Sequence, residues 1–236
     1  MMVAVGRFLF RYRNALFPFA CLLVLLPGRA LFQDPLHAAL TGAVFALLGQ
    51  LVRAGTIGLR YIVRGGRGGR VYADDLVTEG IYSHCRNPMY VGNILIVIGV
   101  AIASNSLTTV LVALPLVWFA YSAITAAEED FLRGKFGAAF EAYCRDVPRW
   151  LPRLHGLGDT LSKSQFHWRR LLVKEYGTPF GWIGVLILAT LYNLSHEGWT
   201  ENELRVASLL LQVLAAAAAL WLLVWLLKKT HVVVAD

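Results

Sequence analysis

Residues 106–127, SLTTVLVALPLVWFAYSAITAA, carry no charged side chain from end to end. Roughly 20 apolar residues in a helix cross the hydrocarbon core of a bilayer, so this stretch reads as a membrane span. Residues 206–227, VASLLLQVLAAAAALWLLVWLL, repeat the pattern. Working outward, shorter apolar runs lie at 15–27, 36–52, 89–103 and 179–194. Each reads as a span that needs tilt, bilayer thinning or protein neighbours. With 57% hydrophobic residues and a mean hydropathy of +0.57, the chain is too apolar for a soluble domain. The expected fold class is all-α: a polytopic transmembrane helical bundle of about six spans.

Charge placement supports an even count. With six spans, Arg7, Arg11, Arg13, Lys228 and Lys229 share one side with the long segments 53–88 and 128–178. All 22 Lys and Arg then fall on that side except Arg29 and Arg205. Basic loops are retained in the cytoplasm. Both termini and both long loops are therefore expected there, as in a multi-pass protein of a bacterial inner membrane. The net charge of +7 then calls for no nucleic acid, because Lys and Arg beside an anionic leaflet account for it. Cys21, Cys85 and Cys144 have neither disulfide nor metal spacing, and the histidines form no ligand set. Neither a disulfide framework nor a metal is expected.

Residues 1–152 hold four spans and every motif; residues 153–236 add a basic linker and a second helical hairpin of the same domain. The run at 64–70, RGGRGGR, has the composition of an RNA-binding repeat or a phosphate-cradling loop. It is single, and no strand–turn–helix unit surrounds it, so a flexible basic loop near lipid phosphates is the expectation.

The chemistry gathers at residues 76–93, LVTEGIYSHCRNPMYVGN. Asn87 suits a helix cap and Pro88 the first helical turn, so a helix should begin there. At 1.5 Å per residue, 88–104 rises about 25 Å and 107–127 about 31 Å, with the turn Ser104-Asn105-Ser106 at the far end. Arg86, Asn87 and Tyr90 should then meet Glu128 and Glu129. The helix start favours an anion. The Glu pair, placed at a helix C-terminus, bears a cost of roughly 0.3–1 kcal/mol each that a cation would offset. Such a site suits a zwitterion.

The full pattern comprises Gly80, Tyr82, Arg86, Asn87, Pro88, Tyr90 and Gly92, then Glu128, Glu129 and Leu132, then Phe136, Gly137, Tyr143, Val147, Pro148, Arg149 and Pro152. It resembles the isoprenylcysteine carboxyl methyltransferase and phospholipid N-methyltransferase superfamily over residues 76–152. The resemblance implies a multi-span membrane enzyme that takes S-adenosylmethionine from the cytosol and methylates a lipophilic acceptor. It implies cofactor contacts from Tyr82, Arg86, Asn87, Pro88, Tyr90, Gly92, Glu128 and Glu129, with Arg86, Glu129 and Arg149 as catalytic candidates. Asn87 stands where many relatives have His, which removes proton transfer near neutral pH but keeps hydrogen bonding. The hairpin at 179–227 extends past the short bacterial relatives, either shaping an acceptor tunnel or completing the bundle.

The expected reaction is in-line attack on a sulfonium methyl, with the protein positioning both partners and excluding water. A carboxylate acceptor needs no base, and Arg86 or Arg149 could orient it. A thiol or amine must lose a proton, for which Glu128, Glu129 or Tyr90 are placed. Plainer roles stand beside these: Pro88 as helix starter, Gly92 as a packing residue, Tyr82 and Tyr90 as interfacial aromatics. Two other classes stay open. One is an NADPH-dependent sterol-type reductase, with the basic loop meeting phosphates; the other is a non-enzymatic membrane protein. Against a transporter, the charged cluster is interfacial rather than at mid-bilayer.

Overall fold

The computed structural model describes residues 1–59 and 71–233, and the 64–70 run lies outside them. Nine α-helices follow in order among the described residues: α1 (Met2–Ala20), α2 (Pro35–Leu59), α3 (Pro88–Ala103), α4 (Leu107–Phe136), α5 (Ala138–Asp146), α6 (Leu157–Lys163), α7 (Trp168–Glu175), α8 (Gly177–Glu197) and α9 (Glu201–Lys229). No strand occurs among them. Five segments are long and apolar enough to cross a membrane, namely Met2–Leu25, α2, α4, Gly177–His196 and α9, and the shorter α3 joins them. The protein is a polytopic helical bundle. At 16 residues, α3 rises about 24 Å.

Three boundaries differ most from the sequence expectation, each for a local reason. The first span starts at Met2 rather than near residue 15, so Arg7, Arg11 and Arg13 ride on the helix itself. Long basic side chains can lie along apolar surface with their charge in water, which lets a helix begin before its apolar run. Helix α2 continues past Val52 to Leu59, carrying Arg53 inside it. Helix α4 continues past Ala127 to Phe136 and stops at Gly137, whose φ of 51° is open to glycine at little cost. Glu128 and Glu129 therefore lie within a helix, about two turns before its end. The dipole cost expected for them at a C-terminus falls instead on a turn that holds Arg133 and Lys135.

Small residues bring the helices close. A Cβ on Gly42 would lie 2.3 Å from the Gly99 carbonyl oxygen, and one on Gly99 would lie 2.3 Å from that of Gly42. Gly49 and Gly92 repeat the relation seven residues along each helix, at 2.5 and 2.8 Å. Without a hydrophobic force between helices in lipid, such backbone-to-backbone contact is a main source of association. Helix α1 meets α4 the same way, where a Gly6 Cβ would be 1.9 Å from the Ala123 oxygen.

The α3–α4 turn is fixed by Asn105, at a left-handed φ of 50°. Its side chain accepts from the amides of Leu31 and Phe32 at 3.0 and 2.9 Å and donates to the Phe32 carbonyl at 3.0 Å. Helix α8 runs along α2 and α3, from Thr178 beside Arg53 to Asn193, whose Nδ2 donates to the Ala103 carbonyl at 3.2 Å, and α9 packs mainly on α8. A capping box formed by Thr200 and Glu203 starts α9. Leu209, Leu211, Leu220 and Leu222, on two sides of this helix, are exposed, as lipid-facing leucines would be.

Candidate functional site

Two chain segments far apart in sequence are tied together before any side chain of the site is placed. The Arg86 amide donates to the Pro148 carbonyl at 2.9 Å and the Arg153 amide to that of His84 at 2.9 Å. The Tyr143 hydroxyl, from α5, donates to the Tyr82 carbonyl at 2.7 Å. Asn87 begins α3 without capping it; its Nδ2 donates to the Arg149 carbonyl at 3.1 Å. These bonds fix the loop before α3 against the loop after α5, and so fix Arg86 beside Arg149.

Both arginines reach the same carboxylate. Arg149 binds Glu129 side-on, Nε to Oε1 at 2.9 Å and Nη2 to Oε2 at 2.6 Å. Arg86 Nη1 donates to Glu129 Oε1 at 3.1 Å and to Cys144 Sγ at 2.7 Å. Two guanidinium groups on one carboxylate leave the cluster one positive charge in excess. Arg86 Nε is buried with no hydrogen-bond partner among the described residues. A buried donor without a partner carries a desolvation cost of about 1–3 kcal/mol, which an anionic ligand would relieve. One turn away, the Tyr90 hydroxyl donates to Glu128 Oε1 at 2.8 Å. Burial pushes the Cys144 thiol above its ordinary range, and it raises Tyr143 as well.

A cavity of about 450 Å³ opens onto these groups, within the usual size of small-molecule sites. Arg86, Asn87, Tyr90, Glu128 and Glu129 line it. Arg149 stands behind, reaching it through Glu129. The other sequence candidates sit elsewhere. Tyr82 is buried behind the loop, with its carbonyl held by Tyr143. Pro88 starts α3, and Gly92 faces Gly49 and Arg53 in the α2–α3 contact. Pro88 has no N–H, and the Tyr90 and Val91 amides turn back onto the Asn87 carbonyl. The helix start is thus poorer in free amides than its sequence suggests. Trp150 packs on Trp118 at 5.1 Å between ring centres.

Deeper along the helices lies a second cavity of about 530 Å³, walled largely by apolar side chains including Ile96, Val97, Val100, Ala113 and Val117. Phe17, Arg53, Asn93, Tyr121 and Thr178 line both cavities. From Tyr121 to Thr109 along α4 is twelve residues, so the deeper cavity extends roughly 18 Å. Sequence reasoning missed Arg53, Asn93, Tyr121 and Thr178. One signal was present, since the apolar sequence resumes after Arg53 as Ala-Gly-Thr-Ile-Gly-Leu. A charge inside a span by default marks a functional position.

Comparison with known proteins agrees with the motif. Residues 39–139 match the family described as phospholipid methyltransferase. The cobalt-zinc-cadmium resistance protein CzcN of Cupriavidus metallidurans is 38% identical over 34% of this chain and 36% of its own. The protein-S-isoprenylcysteine O-methyltransferase of Schizosaccharomyces pombe is 37% identical over 33% of each chain. A probable protein-S-isoprenylcysteine O-methyltransferase of Oryza sativa subsp. indica is 32% identical over 47% of this chain and 59% of its own. The chain thus spans between a third and three-fifths of the length of these relatives. No solved structure matches. The matched segment has the sequence character of the isoprenylcysteine carboxyl methyltransferase and phospholipid methyltransferase superfamily, as the motif implied.

Proposed function

We propose that the protein is an integral-membrane methyltransferase that uses S-adenosylmethionine and acts on a lipophilic acceptor at the cytoplasmic face. The observation that carries this is the junction of two cavities, one polar and charged, the other long and apolar. The charge bias supports the orientation, because the polar cavity lies at the end of the bundle that bears the basic loops.

The residues present fit the methyl donor. The Arg86–Glu129–Arg149 cluster, one positive charge in excess and with the buried Arg86 Nε unpartnered, suits a carboxylate. Glu128, oriented by Tyr90, suits a cationic group. When bound, S-adenosylmethionine supplies an electrophilic methyl on a positively charged sulfur. Glu129 keeps both arginines in one geometry, and Asn87 and the 84–86 loop keep Arg149 from swinging away. Such fixed positioning is the main contribution a protein makes to a direct displacement. Phe10, Phe17, Tyr121 and Phe140 supply an apolar part of the cavity wall. The apolar cavity suits an acyl or prenyl tail, whose burial is worth about 0.8 kcal/mol per methylene.

The test is calorimetric titration of S-adenosylmethionine, with NADPH as comparator, into the full chain in lipid nanodiscs. The donor is expected to bind at micromolar Kd while NADPH gives no saturable heat. Binding of NADPH alone would transfer the site to a reductase. Binding of neither by a folded sample would remove the enzymatic reading.

A further inference from the structure

A second buried ion pair lies outside the Arg86–Glu129–Arg149 cluster, and its halves come from distant parts of the chain. Arg53 sits near the end of α2, inside the matched segment; Glu175 ends α7, outside it. Glu175 is 3% exposed. Arg53 Nε and Nη2 bind Glu175 Oε1 and Oε2 at 2.5 and 2.7 Å. Arg53 Nη2 also donates to Thr178 Oγ1 at 3.1 Å, and Nη1 donates to Asn93 Oδ1. Gln50 Nε2 donates to Glu175 Oε1 at 3.0 Å, and the Trp182 indole donates to Gln50 Oε1 at 3.1 Å.

We propose that Arg53 is the specificity-determining residue that receives the acceptor's reacting head, and that Glu175 and Thr178 are positioning residues that hold its guanidinium where the two cavities meet. This rests on the methyltransferase reading above and adds which residues choose the acceptor. Arg53, Asn93 and Thr178 belong to the band common to both cavities, where a tail in the apolar one would present its head to the polar one.

The donor count says which head fits. A guanidinium has five N–H groups, and the bonds above use four, leaving one on Nη1. Thr178 accepts from Arg53, so its hydroxyl proton is free to point elsewhere. Asn93 accepts through Oδ1, so its Nδ2 is on the donating side, with the Tyr121 hydroxyl beside it and one N–H left over. The Glu175 oxygens accept three hydrogen bonds from Arg53 and Gln50, which commits the carboxylate to holding Arg53. The band offers donors, and an oxygen head that accepts hydrogen bonds fits it; an ammonium does not. With a carboxylate head, the carbon–sulfur bond breaks as an oxygen–carbon bond forms, giving a neutral ester and a neutral thioether with no proton to remove.

The test uses the full chain in nanodiscs saturated with S-adenosylhomocysteine, titrated with dodecanoate, dodecylammonium and dodecanethiol against empty nanodiscs. Dodecanoate is expected to bind at least tenfold more tightly than dodecylammonium. The double variant Arg53→Gln/Glu175→Gln leaves no unpaired buried charge and keeps hydrogen-bonding groups in place. It is expected to lose tenfold or more in dodecanoate affinity while S-adenosylhomocysteine affinity stays within twofold. In labelled-methyl transfer to dodecanoate, Glu175→Gln should raise the KM for dodecanoate tenfold or more while the KM for S-adenosylmethionine stays within twofold, and Glu175→Asp should recover part of the loss. Preference for dodecylammonium, binding of none of the three probes, or a double variant that binds dodecanoate like wild type would overturn the proposal. A wild type that fails to bind S-adenosylhomocysteine overturns the methyltransferase reading and this proposal with it, so the donor titration separates the two failures.

Discussion

Arg149 and Glu129 meet as a bidentate pair, Nε on Oε1 and Nη2 on Oε2, although twenty residues and the whole of α5 separate them in the chain. The fork geometry matters, because two parallel bonds fix the plane of the carboxylate that Arg86 also contacts. Arg149→Lys keeps the charge and loses the plane. The expected result is at least a tenfold rise in Kd for S-adenosylmethionine, about 1.4 kcal/mol, measured by calorimetry. An unchanged Kd would show that Arg149 serves the fold alone.

Tyr90 orients Glu128 through one hydroxyl. Tyr90→Phe preserves the ring and its packing 5.0 Å from Tyr121. Losing a hydrogen bond to a charged group costs about 1.5–3 kcal/mol. Donor affinity should therefore fall roughly tenfold to a hundredfold with the thermal midpoint nearly constant. A large drop in melting temperature with no change in affinity would contradict this.

The Gly42–Gly99 contact tests the packing. Gly99→Leu sets a Cβ 2.3 Å from the Gly42 carbonyl oxygen, a backbone atom that cannot give way alone. Helices α2 and α3 must separate, and the cost should reach or exceed the roughly 1–3 kcal/mol typical of overpacking. Thermal unfolding in detergent should show the loss. Gly55→Leu, where an added Cβ meets nothing within 4 Å, is the control and should be nearly neutral.

Tyr143 gives a pH dependence with a definite sign. Its folded pKa is raised from 10.0, first by burial. A raised folded pKa favours the protonated form in the fold, so its contribution is fully present below about pH 10 and is lost as pH rises above that. The melting temperature should fall above pH 10. In Tyr143→Phe that alkaline fall should shrink, while stability at pH 7 drops by about 1 kcal/mol for the lost bond to the Tyr82 carbonyl. Equal alkaline slopes in both proteins would count against it.

Uncharged apolar runs such as 106–127 left no other solution than membrane-spanning helices, because a backbone in lipid must satisfy its own hydrogen bonds. The motif residues named the Arg86–Glu128–Glu129 meeting for a similar reason: two helices joined by a short turn must bring their far ends together. Helix ends were less legible. Arg53 read as a loop charge and Glu129 as the last turn of its helix, because hydropathy falls at a charge whether or not the helix stops there. The structure shows both inside helices, paired with Glu175 and with Arg86 and Arg149.

Local sequence thus determined the class of fold and the place where charge collects, since each depends on composition and spacing along one or two helices. Only the tertiary structure decided that Arg149 shares Glu129 with Arg86, and that Glu175 completes Arg53. Only it showed a polar and an apolar cavity sharing a wall at Asn93 and Tyr121. Those relations join residues up to 122 positions apart, as Arg53 and Glu175 are. Nothing in the spacing along a single helix encodes them; they arise from which helix faces pack together.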